Sequence, residues 1–190
     1  MTRNTAYFGK LRHILLWSTA LLYLLLSPSI SYHLSSQEGK PLQVWKQQPE
    51  KTGGIRYNVE DLKYWSKNVE SYEEGEIYAL WGWAFLDIGS NTVQADFDRF
   101  VIIYNDANAY LFPIQVYPRP GVQDTFKYLG LSDLASSGFY SVISRNALTA
   151  GKYGIGLLFK HKQDGTNHYL QTDKILVRSP NHLSLDSISK

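Results

Sequence analysis

The stretch IYALWGWAFL, residues 77–86, constrains this chain more than any other. It has no proline and ends in a tight series of rings. Side chains alternate sides along a strand, so Trp81, Trp83 and Phe85 share one face with Ile77 and Ala79. Tyr78, Leu80, Gly82, Ala84 and Leu86 share the other. A second long run divides the same way, with Tyr153, Ile155, Leu157 and Phe159 opposite Gly154, Gly156, Leu158 and Lys160. Both runs are wide on one side and narrow on the other. Large apolar groups belong between packed layers, so the wide sides are expected to point inward.

From Ile55 onward, short apolar runs alternate with turn signals, the rhythm of an all-β domain. Ile55–Val59 alternates as a first strand, and Phe100–Tyr104 and Ala109–Val116 flank Asn105-Asp106-Ala107-Asn108, a hairpin turn. Pro113 cannot donate a ladder hydrogen bond and predicts an edge or a bulge. Residues 117–136 interrupt the rhythm with Pro118 and Pro120 and form the longest insertion. Strands resume near Phe139, Tyr153, His168 and Lys174. The expectation is an antiparallel β-sandwich of immunoglobulin-like or jelly-roll type, with seven to eight strands over residues 55–178.

What precedes this domain is a targeting segment. Arg3, Lys10 and Arg12 stand without an acidic residue before the apolar run at 14–26, so residues 1–32 read as an N-terminal transmembrane or signal helix. Cations stay on the cytoplasmic side, which puts the domain outside a bacterial cell membrane as a single-pass protein. The missing Ala-x-Ala and the position of Pro28 favour a retained signal-anchor; the alternative is secretion after cleavage. Residues 33–54, polar with Pro41, Pro49 and a Gly pair, read as a stalk, and residues 179–190 as a disordered tail.

Composition removes several function classes. A net charge of +2, with Arg3, Lys10, Arg12 and Lys190 near the termini, leaves no basic surplus for nucleic acid. With no cysteine, thiol catalysis and zinc fingers are excluded. His161 and His168 flank a predicted turn but lack a third ligand, so no metal and no cofactor is assigned. No nucleotide-binding or hydrolase signature occurs.

Two features suggest binding. Glycine within a strand marks a close approach of backbone or ligand, so Gly82, Ala84, Gly154 and Gly156 are expected to line a shallow surface under the insertion or a ligand. Tyr117-Pro118-Arg119-Pro120, with the loop running to Phe126, offers a planar donor to a carboxylate or phosphate; alternatively Arg119 bridges back to the domain, for instance to Asp124 or Asp173. The candidate ligand-binding residues are therefore Tyr117, Arg119, Phe126, Gly82 and Gly156, with a cell-envelope glycan or an envelope protein as partner. Alternative readings are an envelope-glycan-acting enzyme using Asp96 or Asp98, and a structural spacer.

Gly82-Trp83-Ala84-Phe85, Arg119-Pro120-Gly121-Val122, Ser137-Gly138-Phe139, Gly151-x-Tyr153-x-Ile155-Gly156 and Thr172-Asp173-Lys174 form an ordered motif series. In that order they resemble uncharacterised bacterial proteins with one N-terminal membrane segment and one extracytoplasmic domain. The resemblance covers residues 55–178 and implies a β-sandwich outside the membrane, without an activity.

Overall fold

A computed structural model describes residues 39–65 and 76–188. The expected N-terminal helix at 1–32 lies outside these residues. Among the described residues no helix is long and apolar enough to cross a membrane.

The described residues form ten strands in two antiparallel sheets, plus one short helix. The strands are β1 (Gln43–Trp45), β2 (Ile55–Tyr64), β3 (Ile77–Leu86), β4 (Phe97–Tyr104) and β5 (Ala109–Pro113). They continue as β6 (Gln115–Tyr117), β7 (Gly138–Ser144), β8 (Gly151–His161), β9 (Asn167–Ser179) and β10 (His182–Ser187). One sheet runs β1-β5-β4-β8-β9-β10 and the other β2-β3-β7-β6. Each sheet turns a face to one shared core: Val59, Leu80, Leu86 and Phe139 from the four-stranded sheet meet Val101, Phe112, Tyr153, Leu157 and Phe159 from the six-stranded one. Pro113 ends β5 where the chain leaves one sheet for the other, as its missing donor requires.

The orientation of β3 reverses the expectation. Tyr78, Leu80, Ala84 and Leu86 face the shared core, and Gly82 leaves the space there that the ring of Phe139 fills. The wide side points out. It stays largely dry because the insertion lies on it: Phe85 is fully buried with Val122 and Leu134, with Trp83, Phe126 and Leu129 packed around them. A strand covered on both sides has no polar face, so alternation alone cannot tell inside from outside. On β8 the expectation holds, with Tyr153, Ile155, Leu157 and Phe159 inside.

Both flanking segments also depart from expectation. From Gly39 the predicted stalk belongs to the domain: β1 pairs with β5, and Trp45 packs on the outer cluster of the six-stranded sheet. Thr52 N–H donates to Tyr169 O at 3.0 Å, and Thr52 Oγ1 accepts from Tyr169 N–H at 2.8 Å. The predicted tail is β10, in register with β9 from His182↔Ser179 to Ser187↔Lys174, with Leu183 in the shared core. A three-residue strand carries too little alternation to be read, and the short Leu183/Leu185 pattern acquires meaning only beside β9.

Gly82 and Gly121 provide a paired check. A Cβ on Gly82 would run into the Asn58 carbonyl oxygen and the Phe139 ring, whereas one on Gly121, exposed in the helix Pro120–Phe126 (α1), meets nothing. Thermal unfolding should show Gly82→Ala destabilising by about 1–3 kcal/mol. Gly121→Ala should be neutral or stabilising by up to about 1 kcal/mol.

Candidate functional site

Three of the expected contact residues lie together, and each is already engaged within the chain. Arg119 forms a bidentate pair with Glu60 on β2, at 2.9 and 2.7 Å, and its Nη1 donates to the Tyr117 hydroxyl at 3.1 Å. The Glu60 hydrogen bonds, followed by that of Tyr117, raise the guanidinium above its ordinary value. Arg119 N–H also donates to Ala135 O at 2.6 Å, so this residue ties both ends of the insertion to the sheet. The bridge back to the domain therefore prevails, through Glu60 and not through Asp124 or Asp173. Phe126 packs edge-on against Phe85 at 5.1 Å and against Trp83 at 5.5 Å, with the Arg56 guanidinium 5.8 Å from its centroid.

Trp81 stacks on Tyr140 at 5.0 Å, Tyr140 on Trp65 at 5.3 Å, and Trp81 meets Tyr117 at 5.6 Å. These rings spend their faces on one another, which stabilises the sheet and leaves edges for a ligand. A second clamp is Arg99, whose Nη1 donates to Ser136 O at 2.9 Å and Nη2 to Gln94 O at 3.2 Å. Burial pulls its pKa down to about 10, so the charge is held in the fold by these carbonyls and by the Phe159 ring at 5.3 Å.

The two candidate glycines do not share a surface. Gly82 faces the shared core, while Gly156 lies on the outer face of the six-stranded sheet beneath the Tyr169 ring. Gly154, two residues earlier, lies beneath the ring of Tyr104.

That outer face carries an open cleft of about 540 Å³. It forms where the segment after β1 crosses the sheet, opposite the β4–β5 turn and the start of β8. Tyr104 forms its floor, half-buried over Gly154, and burial pushes its hydroxyl above the ordinary phenol range. Gln48 Oε1 accepts from the Tyr169 hydroxyl at 2.8 Å and from Gln171 Nε2 at 2.9 Å. What Gln48 has left for a ligand is its Nε2 amide group. Asn105 is fixed in the same sense, because its Oδ1 caps the N–H groups of Ala107 and Asn108 at 3.0 and 2.9 Å. Its Nδ2 group remains. Lys46 and Lys152 add two ammonium groups to the lining, against one carboxylate, Asp106.

The aspartates of the enzyme reading are elsewhere. Asp96 lines a second open cleft of about 430 Å³ with Phe97 and His161, and Asp98 lies on β4 opposite Lys160. Among the described residues no group of three His, Cys, Asp or Glu side chains could hold a metal ion. His161 Nδ1 lies 2.8 Å from Asp164 Oδ1, which also accepts the Thr166 N–H at 2.8 Å. Those bonds, Thr166 first, hold the Asp164 carboxyl down at about 2.

No protein-family model matches this chain, and no curated protein or solved structure is significantly similar to it.

Sequence reasoning missed Tyr104, Lys46, Gln48 and Lys152. The doublet Gly154/Gly156 was the available signal, since a strand glycine announces a close approach without naming what approaches.

Two outcomes follow from these contacts. Arg119→Ala should lower stability by about 1 kcal/mol and speed proteolysis within residues 120–136 under native conditions. Asp164→Asn removes a group whose folded pKa lies below its unfolded one. The stability it contributes is fully present above about pH 4 and is lost as pH falls towards 2. Acid unfolding curves of wild type and variant should therefore differ near neutrality and converge at the acid end.

Proposed function

We propose that this chain is a non-catalytic binding module of the bacterial cell envelope, held outside the membrane by its N-terminal segment, and that it takes a glycan in the Tyr104 cleft. The domain is read as a β-sandwich of the broad immunoglobulin-like or jelly-roll kind, an inference supported by the two antiparallel sheets and their common core. The extracytoplasmic setting is supported by the cations and apolar run at the N-terminus.

One observation carries the glycan reading: the Tyr104 ring lies against the backbone at Gly154, on the floor of an open groove whose walls present amides. A pyranose has an apolar face and an equatorial rim of hydroxyls. A tyrosine backed by glycine suits the first, and the remaining amide groups of Gln48 and Asn105 suit the second. Gln47 adds an amide that can donate and accept.

An envelope protein as partner is favoured by a different feature. Tyr128, 70% exposed, lies beside Arg56 at the rim of the insertion, and Ile88, 50% exposed, lies beside Gly54, two residues before Arg56. Such a pairing of ring, aliphatic chain and arginine is common at protein contacts.

The test is retention of the full-length chain, in a neutral detergent without a sugar headgroup, on an array of envelope polysaccharides. Retention on at least one polymer is expected, weakened about tenfold or more by Tyr104→Ala at an unchanged circular dichroism spectrum. No retention, or retention indifferent to Tyr104, defeats the glycan reading.

A further inference from the structure

The donors and acceptors left over in the cleft are unequal. Gln48 and Asn105 have committed their carbonyl oxygens to the protein and keep only N–H groups for a ligand. Lys46 and Lys152 donate only, and among the described residues neither has an ion-pair partner. Against these stand Asp106, the carbonyl of Gln47 and the Tyr104 hydroxyl, which also meets that of Tyr169, as acceptors. A neutral sugar offers hydroxyls that donate as readily as they accept, which leaves two ammonium groups against the single carboxylate of Asp106 in the lining. A ligand with an anionic group meets both the excess of donors and the net positive charge.

We propose that the cleft selects an anionic saccharide, its charged group lying between Lys46 and Lys152 and its ring on Tyr104. This rests on the glycan reading above and narrows it to sugars bearing a carboxylate or a phosphate. The two lysines come from separate parts of the chain: Lys46 from the crossing segment, Lys152 from β8. Their shared cleft is a product of the fold. Asp106, on the turn beside them, opposes the ligand charge and sets an upper limit on affinity for the acid.

Calorimetric titration of the full-length chain tests this with three probes: an oligogalacturonate, its fully methyl-esterified form, and glucose 6-phosphate. The acid should bind about tenfold or more tightly than the ester, with affinity falling as salt rises from about 50 to about 200 mM. Lys46→Gln with Lys152→Gln should remove that advantage, bringing the acid to the affinity of the ester, and Asp106→Asn should tighten the acid several-fold. All three positions are exposed, so thermal unfolding should not move. A phosphate preference within the same lysine dependence supports the proposal and assigns the anion as phosphate. Equal affinity for acid and ester, or an acid affinity indifferent to both lysines, overturns it. If Tyr104-dependent retention on a neutral polymer persists in that case, the glycan reading survives and only the charge claim falls.

Discussion

Four strand glycines in this domain each lie under an aromatic ring from a neighbouring strand: Gly82 under Phe139, Gly138 under Tyr117, Gly154 under Tyr104 and Gly156 under Tyr169. In the first three the ring belongs to the residue paired directly opposite. A strand glycine costs about 0.5–1 kcal/mol against alanine, because it has more freedom to lose and nothing to bury. A ring laid over the bare backbone recovers that loss by covering it. The arrangement also fixes the register, since a shift of one residue would put each ring on a side chain instead of a gap. The inner face of the four-stranded sheet uses the device once, at Gly82, and the outer faces use it for the rest.

The consequence is a domain with apolar layers outside its core as well as within. On the four-stranded sheet the layer consists of Trp81, Tyr140 and Tyr117, continued by Trp83 and Phe85 under the insertion. On the six-stranded sheet it is Ile102, Leu158 and Tyr169, with Trp45 and Tyr104 against them. Charged groups are used to clamp these layers down. Arg119 to Glu60 and Arg99 to the Ser136 carbonyl hold one insertion from two sides. The guanidinium most attractive in the sequence is already paired within the chain.

How far the sequence could be read follows from the same arrangement. The strand rhythm, the hairpin at Asn105–Asn108 and the inward face of β8 were legible because local alternation and turn chemistry report them directly. The inward face of β3 was not, because both of its sides are apolar and only the insertion decides which is covered by what. Residues 43–52 look like a linker since their partners are distant in sequence: Gln48 bonds to Tyr169 across 121 positions and to Gln171 across 123. The candidate site inherits that difficulty. Its glycine, Gly154, was visible, while Tyr104 and Lys46 reach the cleft only through pairings that no local pattern encodes.

The crossing segment matters in a further way, because it forms one wall of the cleft and is secured by few groups. Its hydrogen bonds run through Gln48, Thr52 and Gly53 to a single stretch of β9 and through the Gly54 carbonyl to Asp87 N–H, and Gly53 and Gly54, both with φ near +80°, turn it into β2. The opposite wall, β8 and the β4–β5 turn, is built into the middle of a six-stranded ladder. One wall is thus held by strand ladders on both sides and the other by side-chain and turn bonds. The proposed ligand, touching Lys46 and Lys152 together, would join the two. For the proposed ligand, affinity would depend on how well the crossing segment is held beforehand, which is what the Gln48 bonds to Tyr169 and Gln171 do.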